Sequence, residues 1–387
     1  MSTPALSAAA SSRVSWMDPV RGLLSALVVV HHAAVTYGPV GSWYYVERQP
    51  ISLTLNLAFA TFVIFNQFFF MGFFFLLAGC FIPASLERKG SRLFLRDRLL
   101  RLGLPLLLFA FFVNPWTSDL AIAAEIAPKT AGLWMPPLLF PLFQHIAPGP
   151  LWFVETLLVF SLVVVAARLW RRGPSPASLA APSLPQIVAF SVALASTSFA
   201  VRFFYPASKE LWHLQLGFFP QYILLFWVGL RSRQARFLEE IPARWFWPAV
   251  AVSGICAIAL AALLTPLFLS GGAEEMARTY RGGPHWQAAG LCLLEAVECP
   301  AMIVTLVLLF RDRVPNLPRF WNDLGPDSYT VYIIHAPVLV LVSVVLRGWN
   351  PSVPVKFALV SLVTLVLCFV LSRWGLRKIP GVKLVLG

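Results

Sequence analysis

The sequence predicts an all-α fold, a polytopic integral membrane bundle of about ten helices. Three observations predict it: few charges, apolar runs of membrane-spanning length, and basic residues gathered in alternate connections. Charged residues make up 12% of the 387 positions and apolar ones 58%, with a mean hydropathy of +0.75. Soluble domains carry about 25% charged residues, so this composition excludes a soluble enzyme, a nucleic-acid-binding domain and a disordered chain. The net charge of +13 is no nucleic-acid footprint, because the basic residues sit between long apolar runs instead of lining one polar face. The partner that this surface calls for is a lipid bilayer, and no nucleic acid is expected.

A helix needs about 20 apolar residues to cross the hydrocarbon. Such runs lie near 20–38, 55–82, 102–118, 150–167, 184–205, 211–230, 245–270, 286–310, 328–346 and 354–372. The second is too long for a straight crossing and must tilt, kink or begin in the interface. With the N-terminus inside, 21 of the loop Lys and Arg residues fall on the cytoplasmic side, six of them in 86–101. Seven fall outside: Arg48, Lys129, Lys209, Arg278, Arg281, Arg347 and Lys356. This asymmetry places both termini in the cytoplasm and the protein in a cell membrane, the inner one in a Gram-negative cell. Residues 1–18 read as a short tail: 1–12 are rich in Ala and Ser and lack the basic start of a cleaved signal. Residues 19–387 read as one membrane domain, with Pro-rich 173–185 as a cytoplasmic linker. The five cysteines lie in apolar segments at no zinc-like spacing, so they read as small buried hydrophobes.

Ionisable groups inside membrane spans are costly and mark candidate sites. The first span, RGLLSALVVVHHAAV, holds Arg21, His31 and His32. At about 100° per residue, Arg21, Ser25, Val28 and His32 share one face, with His32 about 16 Å along the helix from Arg21; His31 points about 100° away. A neutral imidazole can take a proton from a hydroxyl near physiological pH. An arginine stays charged and can bind an anion. A lone intramembrane histidine is otherwise a helix-packing partner. His32 is therefore the candidate general base, with Arg21 as its charged companion.

That Arg, ten residues, then His arrangement resembles the signature of the membrane acyltransferase 3 family. Four further segments resemble its pattern in order: GFFFLLAGCF at 72–81 (Ala78 stands where the family has Ser), RLLRLGLP at 98–105, GPLWFVETLL at 149–158 and SYTVYIIHAP at 328–337. The resemblance implies transfer of an acyl group from a cytoplasmic acyl-CoA to a hydroxyl of a carbohydrate or other acceptor, commonly outside the membrane. It further implies acetyl- or succinyl-CoA as co-substrate, with no permanently bound cofactor or metal. The lack of an appended esterase-like domain resembles stand-alone members, including the periplasmic-glucan succinyltransferases.

The remaining residues fit that chemistry in part. Arg98 and Arg101, three apart at the membrane boundary, could hold the CoA phosphates by bidentate contacts, or could serve only positive-inside topology. Trp152 and Glu155 share a face near the outer end of the fourth span. Glu155 could orient His32, as a carboxylate does for a catalytic imidazole, or pair with Arg202. Glu295 and Glu298 form another one-face pair, suited to a relay or to an ion pair with Arg202 or Arg21. His335 matches the family's late motif, is expected toward the cytoplasmic half, and could help hold the thioester end of the donor. Trp43, Tyr44, Tyr45, Trp116 and Trp134 could stack on sugar rings, though an aromatic belt explains them as well. The rival reading is a secondary transporter of an anionic or sugar substrate. It would use the same buried Arg, His and Glu, but the two related halves common in transporters are not visible.

Overall fold

The computed structural model describes residues 16–126, 145–170, 182–232, 236–270, 274–314 and 319–386. Expectations for residues 1–15, linker positions 173–181, Arg171, Arg172, Arg233, Lys129 and Trp134 lie outside them. Among the described residues, apart from one isolated bridge, regular structure is helical. Helix α1 is Met17–Tyr37 and α2 is Leu53–Gln67, the latter capped by the Ser52 hydroxyl, which accepts from the Leu55 N–H at 3.3 Å. The chain leaves helical geometry at Phe69 (φ −141°, ψ −36°) before α3, Phe70–Arg98. The over-long second run is thus two helices meeting at a break.

Within α3, Gly90 sits at φ 71° with open space around its Cα, so the chain turns there at no side-chain cost. Beyond Arg98 the helix continues through two π-helical turns, Leu99–Gly103 and Phe109–Val113, which flank α4, Leu104–Leu108, and lead into α5, Asn114–Ile126. Then come α6 (Trp152–Trp170), α7 (Leu184–Phe204), α8 (Phe219–Arg231), α9 (Arg236–Glu239) and α10 (Phe246–Leu269). The last are α11 (Glu274–Arg281), α12 (Trp286–Leu308), α13 (Arg319–Val345), α14 (Val353–Val370) and α15 (Pro380–Leu386).

Among the described residues, eight stretches are long and apolar enough to cross a membrane. One of them, Leu53–Glu125, is 73 residues long and holds two expected spans, 55–82 and 102–118. The expected span 211–230 is the shorter apolar helix Leu216–Arg231. The difference from ten therefore lies in how helices join and in one short helix.

Burial separates centre from rim. In the apolar window of α1, 67% of residues are buried inside the protein, against 17% for α7 and 22% for the stretch containing α10. Residues such as Val192 and Ile258 are exposed on those outer helices, as lipid-facing surfaces require. The central contact is α1 against α13. A Cβ at Gly22 would lie 2.7 Å from the Leu324 Cβ, and one at Gly325 would lie 2.5 Å from the Asp18 Cβ. Only glycine allows this approach, the small-residue packing typical of membrane helices. The Ser25 hydroxyl donates to the Ser328 carbonyl across the same seam, 3.2 Å. All five cysteines are free and buried.

Polar groups inside the bundle are mostly paired. Arg202 of α7 binds Glu295 of α12 and donates to the Gly217 carbonyl at 2.9 Å, which settles Glu295 as half of an ion pair. Lys356 of α14 binds Glu47 at 2.6 Å, and Asp327 of α13 accepts from Arg377 at 2.8 Å and Ser372 at 2.8 Å. Removing one partner of a buried pair costs about 3–5 kcal/mol, because the other charge is left without compensation. Glu295→Ala should accordingly lower the unfolding midpoint in detergent, and Arg202→Met/Glu295→Leu should recover most of the loss. Equal midpoints for parent and Glu295→Ala would show that the pair contributes nothing.

Candidate active site

The α1–α13 seam brings two histidines together. The rings of His32 and His335 lie 5.0 Å apart, centroid to centroid. Each ring is fixed by its own helix: His32 Nδ1 is 2.9 Å from the Val28 carbonyl, and His335 Nδ1 is 2.6 Å from the Tyr332 carbonyl. A carbonyl oxygen only accepts, so both Nδ1 atoms carry a proton, and in the neutral form of each ring the lone pair sits on Nε2. His335 is fully buried and its Nε2 has no hydrogen-bond partner. The arrangement is two imidazoles whose Nδ1 atoms are committed to backbone carbonyls, leaving Nε2 of each ring for another molecule.

Further rings surround the pair. Trp43, in the connection 38–52, stacks on His32 with centroids 4.6 Å apart and planes 30° from parallel. Tyr332 lies 5.7 Å from His335, and its hydroxyl donates to the Pro150 carbonyl just before α6. His31 packs against Phe70 of α3 at 5.0 Å and is buried, so it turns away from the Trp43 side, as the helical spacing predicts. Tyr44 binds Asn114 of α5, and burial raises its phenol well above the usual range. Among the described residues no group of three His, Cys, Asp or Glu side chains could hold a metal ion.

A line of residues leads from this centre toward the end of the bundle where α1 begins. On α13, Tyr329, Tyr332 and His335 recur every three residues, each neighbouring the next, in a row that winds about 120° around the helix over about 9 Å. The Tyr329 hydroxyl donates to the Arg101 carbonyl at 2.6 Å, pinning the first π-helical turn. Arg98 is half-buried, its guanidinium 5.1 Å above the Phe94 ring; Arg101 is exposed. Arg21, about 16 Å along α1 from His32, lies 3.8 Å from Asp18 and over the Phe81 ring. π-helical turns are rare and gather at functional sites.

Two expectations need correcting. Glu155 reaches neither His32 nor Arg202: its carboxylate is 2.8 Å from His213 Nε2. The Val28 carbonyl already holds His32 Nδ1, and Glu295 takes Arg202. His335 is not deeper than His32 but level with it, because α13 runs parallel to α1 along a tight seam that pairs Gly22 with Leu324, Ser25 with Ser328 and His32 with His335. The Trp152 ring lies tilted against Tyr222, with centroids 5.4 Å apart. Sequence reasoning missed His213, which sits in a turn with Trp212 at positive φ (48° and 64°) that no pattern signals. It also underrated Trp43, whose position next to the base follows only from how the 38–52 connection folds back.

A family model described as an acyltransferase domain, acyltransferase 3, matches residues 14–373. No curated protein and no solved structure matches the chain.

Proposed function

From the premise that the chain belongs to the acyltransferase 3 family and is a multi-pass membrane-bound acyltransferase, we propose that it moves a short acyl group from acyl-CoA to a hydroxyl of an extracytoplasmic glycan or glycoconjugate. The observation that carries this reading is the His32–His335 pair, two imidazoles 5.0 Å apart with both Nδ1 atoms committed. His32 Nε2 takes the proton of the acceptor hydroxyl. The acceptor oxygen bonds the thioester carbonyl carbon, the C–S bond breaks, and the CoA thiolate takes the proton from the imidazolium. His335 Nε2 offers a second resting place for that proton between oxygen and sulfur. Among the described residues the hydrogen bonds of the two imidazoles go to backbone carbonyls and not to a serine or cysteine, which favours direct transfer over an acyl-enzyme.

The donor's side follows from charge. Arg98, Arg101 and Arg21 lie at the end expected to face the cytoplasm, and the Tyr329–Tyr332 face of α13 leads from them to the imidazoles. The roughly 16 Å from Arg21 to His32 suits an extended pantetheine arm with its phosphates at the arginines and its thioester at the histidines. Acetyl- or succinyl-CoA is the donor in this reading, with Trp152 lining the acyl side. Glu155 holds the 205–215 connection through His213 rather than orienting the base.

The reading is tested on surface glycans from cells that make the parent protein or the His32→Ala variant. Mass spectrometry should find an acyl increment on a glycan in the first and not in the second. Glycans without the increment in both would refute the acceptor class, and the increment present in both would remove His32 as the base.

A further inference from the structure

The connection 38–52 is long, without regular structure, and firmly tied. The Glu47 N–H donates to the Thr36 carbonyl at 2.8 Å, and the Glu47 carboxylate holds buried Lys356 at 2.6 Å. Arg48 donates to the Gly38 carbonyl at 3.2 Å. Connections of this length are uncommon unless they serve a site or are disordered. This one places a single indole on the candidate base. Trp43 Nε1 donates to the Thr36 hydroxyl at 2.9 Å, and that hydroxyl donates to the His32 carbonyl at 3.0 Å. Trp43 also packs against three separate apolar clusters of the bundle. The ring is therefore fixed both to the helix carrying the base and to the packed core around it.

Its position has a chemical consequence. His32 meets His335 and His31 on the helix side and Trp43 on the side of the connection. The connection lies beyond the apolar stretch Met17–Tyr37, where solvent begins. A base that removes a proton from a sugar hydroxyl will remove one equally well from water. Hydrolysis then runs as transfer does. The water proton passes to His32 Nε2, the water oxygen bonds the thioester carbon, the C–S bond breaks and the thiolate recovers the proton, leaving a carboxylic acid and CoA. An enzyme whose acceptor is scarce needs this path closed.

We propose that Trp43 is the positioning residue that closes it: the indole holds the His32 ring in place and keeps solvent from the base, and so sets the ratio of transfer to hydrolysis. This rests on His32 as the base. Trp43 thus has a role that its resemblance to an interfacial belt conceals.

The test uses purified full-length protein in detergent with acetyl-CoA or succinyl-CoA and no acceptor, and follows CoA thiol release. Trp43→Ala should raise acceptor-independent release on the order of tenfold, the effect of admitting water to a closed site. Trp43→Phe, which restores a flat ring, should stay near the parent. Trp43→Leu preserves apolar packing without the plane, should also raise release, and carries the test if the alanine variant does not fold. A merely structural role lowers activity and cannot raise it. Release at or below the parent level in a variant that still binds CoA would overturn the proposal. Adding His32→Ala to Trp43→Ala separates the two readings. Loss of the gained hydrolysis supports both. A gain that persists keeps Trp43 as the shield and removes His32 as the base.

Discussion

Replacing His32 by alanine is expected to slow acyl transfer about 10²–10⁴-fold, the usual contribution of a positioned general base, while acyl-CoA binding stays near that of the parent. The separation follows from distance: His32 lies about 16 Å along α1 from Arg21, where the donor's phosphates are expected, so its loss removes chemistry and not the charged anchor. His335→Ala should also lower the rate, by less, because His32 Nε2 remains and only the second position for the proton is lost. His31→Ala should mainly cost stability, since this ring is buried against Phe70. The comparison is made by steady-state kinetics together with CoA binding. A His31→Ala variant as slow as His32→Ala would shift the base to the neighbouring ring.

Arg98→Ala/Arg101→Ala should weaken CoA binding by two to four orders of magnitude if the losses add. Each side chain could lose a charge-assisted bond to phosphate worth about 1.5–3 kcal/mol, and 1.4 kcal/mol is a factor of ten. The two are three residues apart on one helix face, so some coupling is expected and the lower end is the safer figure. Lysine at both positions should restore part of the affinity, keeping charge but not the planar fork. The deficit should also shrink as salt rises, since screening weakens what the arginines supply. Measured by CoA binding at low and moderate salt, unchanged affinity in the alanine pair would leave these arginines a topological role only and move the donor to another basic connection.

Much of the architecture was legible because a bilayer imposes it. A run of about 20 apolar residues can hardly do anything else, and expected spans such as 184–205 and 286–310 correspond to α7 and α12. Where the reading blurred, local geometry decided. Phe69 leaves helical geometry just after Asn66 and Gln67, in a run whose overall apolar character hides the break, and the two π-helical turns that join α3 to α5 have no spacing that sets them apart from α-helix. In the site, Arg21 and His32 were legible because helical spacing puts them on one face. Pairings across helices were legible only as alternatives, since a carboxylate in one span can reach any cation at its depth: Glu295 found Arg202, one of the two cations weighed for it, and Glu155 found His213, which was not weighed. The depth of His335 depended on the α1–α13 register, which the contacts at Gly22 and Gly325 set. The place of Trp43 depended on a connection without periodicity, the part of a chain that spacing describes least.

The most direct measurement is the stoichiometry of the reaction in sealed vesicles holding purified protein, with acyl-CoA on the face of the 86–101 connection and a glycoconjugate fraction on the other. The expected result is one CoA thiol released per acylated glycan formed, with both lost in His32→Ala. Movement of glycan across the vesicle wall without thiol release, or acylated glycan formed at the parent rate by His32→Ala, would contradict catalysis by acyl transfer at the His32–His335 pair.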